Sequence, residues 1–320
     1  SRGLGDVYKR QIQMMISSIL SSSYREIGRV RVILVITLIA AGSNAFLNWV
    51  FIYGHLGMPR LEVEGAAYAT IIAKTVEMLL LIGYTIKERP EFISFSVFKR
   101  IDWALFGRIL KKGSLLIMSQ MMWVLSESFT AAIYNGRGNA AVVSGMAASF
   151  SIANLFFISF DGITTATGVL IGKSLGRNEL DDARKEKTWM LSAAIIFGCI
   201  MCLVGVVTVL LVPVVFGNLS IDAQNICRAM LLLMALFMPL WTFVNTQLAV
   251  CRAGGDTKVG FLVDGGTTAV MIPMLLILAF FTNASPVMMY FGVKALDVGK
   301  IIVATHEMKK ERWVVNLSNA

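Results

Sequence analysis

The chain has 320 residues, 56% hydrophobic and only 15% charged, with a mean hydropathy of +0.71. Soluble domains carry about 25% charged residues, so this composition excludes that class. The net charge of +9 does not point to nucleic acid, because the basic residues lie between apolar runs without a basic–aromatic pattern.

Residues 1–11, SRGLGDVYKRQ, have neither an initiator Met nor the apolar core of a signal peptide. They resemble translated adapter sequence and are set aside as a non-native leader. A stub, 11–23, reads as the end of a helix. Eight apolar runs follow, roughly 32–54, 66–86, 113–134, 140–171, 189–216, 229–250, 259–282 and 286–305. Each is close to the ~20 residues that cross a bilayer as a helix. Segments 25–31, 87–112, 173–188, 251–258 and 306–320 together hold twenty Lys and Arg, whereas 55–64, 135–139, 217–228 and 283–285 hold three, Arg60, Arg137 and Arg228. Basic loops stay in the cytoplasm, so the C-terminus is expected inside and the stub enters from outside. The loop 175–189, with alternating charge signs, reads as a solvated amphipathic linker.

Two motifs invite chemistry and do not support it. Cys199 and Cys202 form a C-x-x-C inside the run 189–216, with no second Cys pair or His to complete a site. GVLIGKS, Gly168 to Ser174, is one residue short of a phosphate-binding loop and ends a membrane helix. No cofactor is expected. The two histidines, His55 and His306, fall on opposite sides of the membrane.

The chain repeats itself. SYREIGRVRV at 23–32 resembles VCRAGGDTKV at 250–259, with Arg25 matching Arg252, Gly28 matching Gly255 and Val32 matching Val259 at an offset of 227. The same offset pairs Pro59 with Pro286 and Gly65 with Gly292. Six crossings separate the two turns, so the unit is six helices repeated in parallel topology, an arrangement common in transporters. The second unit starts near Gly113, which places the start of the first about a hundred residues upstream of this sequence.

NWVFIYGHLGMPRLEVEGAAYAT (48–70), IYNGRGNAAVVSG (133–145), GVLIGKSLGRNELDDARK (168–185), CRAGGDTK (251–258) and KKERWVVNL (309–317) together resemble the multidrug and toxic compound extrusion family, over about 12–317. The resemblance implies an all-α integral membrane fold of twelve helices in two six-helix lobes around a central cavity. This chain then holds about eight transmembrane helices plus a stub: 12–86 closes the first lobe, 87–112 links the lobes, 113–305 is the second lobe (helices 7–12), and 306–320 is a cytoplasmic tail. It further implies a secondary antiporter in a bacterial plasma membrane, monomeric when full length. Its partners are the bilayer and small cationic substrates, which it exports in exchange for H+ or Na+. An acid on helix 7 takes part in coupling in this family, and Glu127 is the matching residue. A family acid expected about eleven residues before Arg252 is replaced here by Trp241, with Thr242, Asn245 and Gln247 nearby, and 229–250 has no carboxylate.

The residues themselves lead to the same acid. Glu127 is the only charge between Gly113 and Tyr134. It lies about 10 Å down its helix at 1.5 Å per residue. A charge there costs several kcal/mol unless paired, hydrated or protonated. Gln120 and Trp123 share its face and Ser126 and Ser128 flank it, so the site offers an acid, polar support and an aromatic surface for a cation or a transient Na+. Asp161 lies some 20 Å deeper by ideal geometry, too far for a dyad. Asp264, near the inner end of its run, either serves the site or reaches the cytoplasmic interface. Lys74 with Glu77, and Lys294 with Asp297, are three apart and read as self-neutralising pairs, with Lys294 and Asp297, in the final run, also placed to line a cavity. A flippase of lipid-linked saccharide is the alternative within transport, and would want a cationic cavity. An intramembrane enzyme would need a nucleophile and base, or metal ligands, at matched depth.

Overall fold

The computed structural model describes residues 2–90 and 102–315, with side chains from Gln13 onward except that of Lys112. The part 91–101 of the expected linker, and Asn316 and Leu317 of KKERWVVNL with the rest of the tail, lie outside the described residues. The described residues form α1 (Arg2–Glu26), α2 (Val30–Tyr53), α3 (Glu62–Glu88), α4 (Trp103–Arg137), α5 (Ala140–Gly176), α6 (Leu180–Val215), α7 (Ile221–Ala253), α8 (Lys258–Phe281), α9 (Pro286–Ala295) and α10 (Asp297–Lys309), and no strand among them. The seven helices α2 to α8 are long and apolar enough to cross a membrane.

Several boundaries depart from the hydropathy reading. The stub continues back to Arg2, through the residues set aside as a leader. α4 begins ten residues before Gly113, because Asp102 caps it: the carboxylate Oδ1 accepts from the amides of Ala104 and Leu105 at 2.9 and 3.0 Å. Hydropathy marks only the stretch of a helix that meets lipid, so it misses a polar first turn. The basic stretch 173–188 is helix on both sides of a short turn, with Lys173 in the last turn of α5 and α6 starting at Leu180. The run 286–305 is two short helices meeting at Leu296. There the ladder tightens to three-residue spacing, Leu296 N donating to Val293 O and Gly299 N to Leu296 O.

Residues 1–101 and 102–320 form two compact units. In the first, α3 packs on α2 and α1. Lys74 Nζ lies 2.7 Å from Glu77 Oε2 on α3, the local pair expected from their spacing. In the second, α7 is the central helix, flanked by α5 and α6 and touched by α10, while α4 lies on α8. α7 can be central because its neighbours bring glycine to it. A Cβ on Gly145 of α5 or Gly198 of α6 would overlap α7 at Ala223 or at Pro239 and Thr242. Close helix approach of this kind is how apolar helices gain packing where lipid offers no hydrophobic drive. Arg137, at the end of α4, donates to the carbonyls of Leu278, Ala279 and Thr282, capping the open end of α8.

The repeated turns have one backbone. Gly28 donates to Arg25 O and Arg29 to Tyr24 O, each at 2.9 Å; Gly255 donates to Arg252 O and Asp256 to Cys251 O, each at 2.9 Å. Both glycines take a left-handed φ, +79° and +77°. The helices that follow, α2 and α8, are both 24 residues long.

Candidate functional site

A cavity of about 780 Å³ lies inside the second unit, lined by α4, α5, α7, α8, α9 and α10. Gln120, Trp123, Glu127, Asp161, Asn245 and Asp264, the six residues expected at the site, all line it.

Glu127 does not stand alone in it. Lys294 Nζ donates to Glu127 Oε1 at 2.7 Å, with side-chain exposures of 14% and 30%. This corrects the expected Lys294–Asp297 pair. Asp297 turns elsewhere: it accepts from Trp241 Nε1 at 2.8 Å and meets Lys300 Nζ at 3.2 Å. The ladder interruption at Leu296 falls between Lys294 and Asp297, and each of them serves a different helix. Trp241 therefore stands where the family resemblance implied a carboxylate, and α10 brings the carboxylate Asp297 to its indole.

Asp264 lines the cavity. Ser119 Oγ donates to its Oδ2 at 2.6 Å, and Lys300 Nζ lies 3.9 Å from its Oδ1. Lys300 thus bridges Asp264 and Asp297. Asp161 shares the cavity with Glu127 despite their different depths, and its carboxylate has no ion-pair partner among the described residues. Asn245 Nδ2 donates back to Trp241 O at 2.9 Å, so its amide is partly spent on its own helix. Ser126 turns toward α8, donating to Met271 Sδ at 3.3 Å, so one of the two flanking serines belongs to a packing contact.

Aromatic rings complete the walls. The Lys294 ammonium lies 5.7 Å from the Trp241 ring and 5.4 Å from the Tyr290 ring. Trp241 stacks on Phe237 and leans on Phe157, and Tyr290 meets Phe150 edge-on. Four carboxylates (Glu127, Asp161, Asp264, Asp297) and three bases (Arg252, Lys294, Lys300) share the cavity. Charges at this depth cost several kcal/mol each when unpaired, and Glu127 meets Lys294 while Lys300 meets Asp264 and Asp297.

Sequence reading placed Lys294 and Asp297 as candidate cavity residues but gave Lys294 the wrong partner, and it missed Tyr290 and Lys300. The signal for Lys300 was present: Lys294, Asp297 and Lys300 recur every third residue, which puts three charges on one face of a run otherwise apolar. The two motifs set aside have structural surroundings. Ser174 of α5 donates to Glu186 Oε2 of α6 at 2.7 Å, and Cys199 is exposed on α6.

The MatE family profile matches residues 116–277, half of the chain, including Glu127, Asp161, Asn245 and Asp264 and stopping short of Lys294. The chain is similar to the "Probable multidrug resistance protein NorM" of Mesorhizobium japonicum, 26% identical over 291 residues that cover 87% of this chain and 61% of that protein. The protein of the same description from Listeria innocua is 24% identical over 312 residues, covering 95% and 67%. Among solved structures, a variant of the Vibrio cholerae MATE transporter VcmN matches with a TM-score of 0.76 at 17% identity, covering 93% of this chain and 67% of that one. The last likeness is one of fold. The chain spans 61–67% of the length of these proteins.

Proposed function

The chain belongs to the MatE family, and from that premise we propose that it serves a secondary antiporter exporting organic cations in exchange for H+ or Na+. The observation that carries this reading is the Glu127–Lys294 pair on the wall of an aromatic, 780 Å³ cavity. A carboxylate there needs a positive partner at every stage. It can hold a proton, a metal cation or a cationic cargo, but only one at a time. Cargo and coupling ion that share one acid must each weaken the other's binding, which is the linkage an antiporter needs. The printed names of the curated relatives support drug-like cargo.

A lipid-linked saccharide carries an anionic head group, and four carboxylates against three bases make a poor host for it. An enzyme needs a free nucleophile with its base. Here Glu127, Asp264 and Asp297 already face lysines.

The test is efflux of a fluorescent organic cation under separate Na+ and pH gradients, from proteoliposomes of the protein extended to the length of its relatives. Glu127→Gln keeps the shape and removes the charge, and should cut coupled efflux at least roughly tenfold, the equivalent of about 1.4 kcal/mol. Lys294 loses its partner in this variant, so membrane abundance is measured alongside. Undiminished efflux with an unchanged pH profile would make Glu127 a structural residue.

The loop charges support a bacterial cytoplasmic membrane location with the C-terminus inside. A cysteine placed at Arg137 or Asn218 should react with an impermeant reagent in sealed cells, and one at Asn178 should not. Labelling at Asn178 would reverse the topology.

A further inference from the structure

The pair that marks the site also closes it. The Lys294 ammonium has Glu127 at 2.7 Å and the rings of Tyr290 and Trp241 at 5.4 and 5.7 Å. A carboxylate with aromatic faces around one point is the chemistry that recognises an organic ammonium. The walls are held in place before any ligand arrives. Trp241 is fixed by its hydrogen bond to Asp297 and its stack on Phe237, and Tyr290 is only 1% exposed. We propose that Lys294 is a tethered competitor of the cargo: it occupies the cation cage of Glu127, Trp241 and Tyr290, and an organic cation binds there only when Lys294 withdraws. The proposal rests on the export reading for the class of cargo.

Two observations separate this from an ordinary structural ion pair. A lysine that needs only neutralising can use an acid three residues along, as Lys74 does with Glu77 on α3. Lys294 has Asp297 at that spacing across the division at Leu296, and reaches 167 residues back to Glu127 instead. The pair is also not sealed in packing, since it lines the cavity and Glu127 keeps 30% of its side-chain exposure.

Withdrawal need not strand a charge. Lys300 stands between Asp297 at 3.2 Å and Asp264 at 3.9 Å. If Lys300 leans to Asp264, Asp297 becomes free to receive Lys294, and Glu127 is left for the cargo. The flexible four-carbon stem of lysine suits such an exchange, which the rigid fork of an arginine would resist.

The test measures tetraphenylphosphonium binding to the full chain in lipid nanodiscs. Lys294→Met should bind it roughly tenfold tighter than the parent, a typical size for a coupling between sites. Lys294→Gln, which keeps a hydrogen bond to Glu127 without the charge, should show the same gain and covers a failure of the methionine variant to fold. Adding Glu127→Gln to either should remove the gain. No gain in either variant overturns the proposal, and so does a gain that survives loss of Glu127, because the tighter site then lies elsewhere. Efflux by the protein extended to the length of its relatives separates the two readings. Intact efflux without a binding gain overturns the tethered competitor alone. A binding gain without efflux supports the cage and overturns the export reading.

Discussion

The stretch from Tyr24 to Glu88 and the stretch from Cys251 to Lys309 share a skeleton and differ in charge. Each opens on the same glycine turn and continues into a 24-residue helix. The third element then diverges. α3 is one helix of 27 residues, whereas its counterpart is α9 and α10, divided at Leu296. Ala67, Thr70 and Ala73 stand 227 positions before Lys294, Asp297 and Lys300. The first copy spends its one central ion pair inside a helix; the second sends three charges to α4, α7 and α8. The turn and the helix after it are alike in both copies, and the charges on the third element make it a cavity wall in the second.

The largest effect should come where the turns themselves differ. Gly254 corresponds to Ile27, which is half exposed, because only the second turn is covered by the chain around Trp313. A Cβ on Gly254 would overlap the Trp313 carbonyl. Gly254→Ala should therefore cost several kcal/mol, in the range of severe overpacking, read as lost yield and a lower Tm in detergent. The same change at Gly28 meets open space and only the left-handed φ of +79°, and should cost about 1–2 kcal/mol. A cost at Gly28 as large as that at Gly254 would break the comparison of the turns.

A smaller effect than at Gly254 is expected at the local pair. Lys74→Met removes a partner that is 44% exposed on α3. It leaves the buried Glu77, whose side chain is only 10% exposed, without its partner, so it should lower stability by about 2–3 kcal/mol and leave cation efflux unchanged. Efflux lost as fully as in Glu127→Gln would end the distinction between a local pair and a cavity pair.

Much of this protein was legible from its sequence, and for a physical reason. Transfer of side chains to lipid, basic loops and a left-handed glycine turn are all local properties, so hydropathy placed α2 to α8 and an offset of 227 found the matching turns. An isolated acid in an apolar run is also a local anomaly, so Glu127, Asp161 and Asp264 stood out in the sequence, and they line one cavity with Gln120, Trp123 and Asn245. The ends of α4 and the division at Leu296 were not legible, because caps and ladder defects leave no hydropathy mark. Nor was the choice of partners. Spacing along one helix joined Lys294 to Asp297, yet the cavity joined it to Glu127 across 167 residues and gave Asp297 to Trp241 across 56. In an interior of low dielectric the nearest well-placed opposite charge wins, and only the packing of α4, α7, α9 and α10 around one space decides which charge that is.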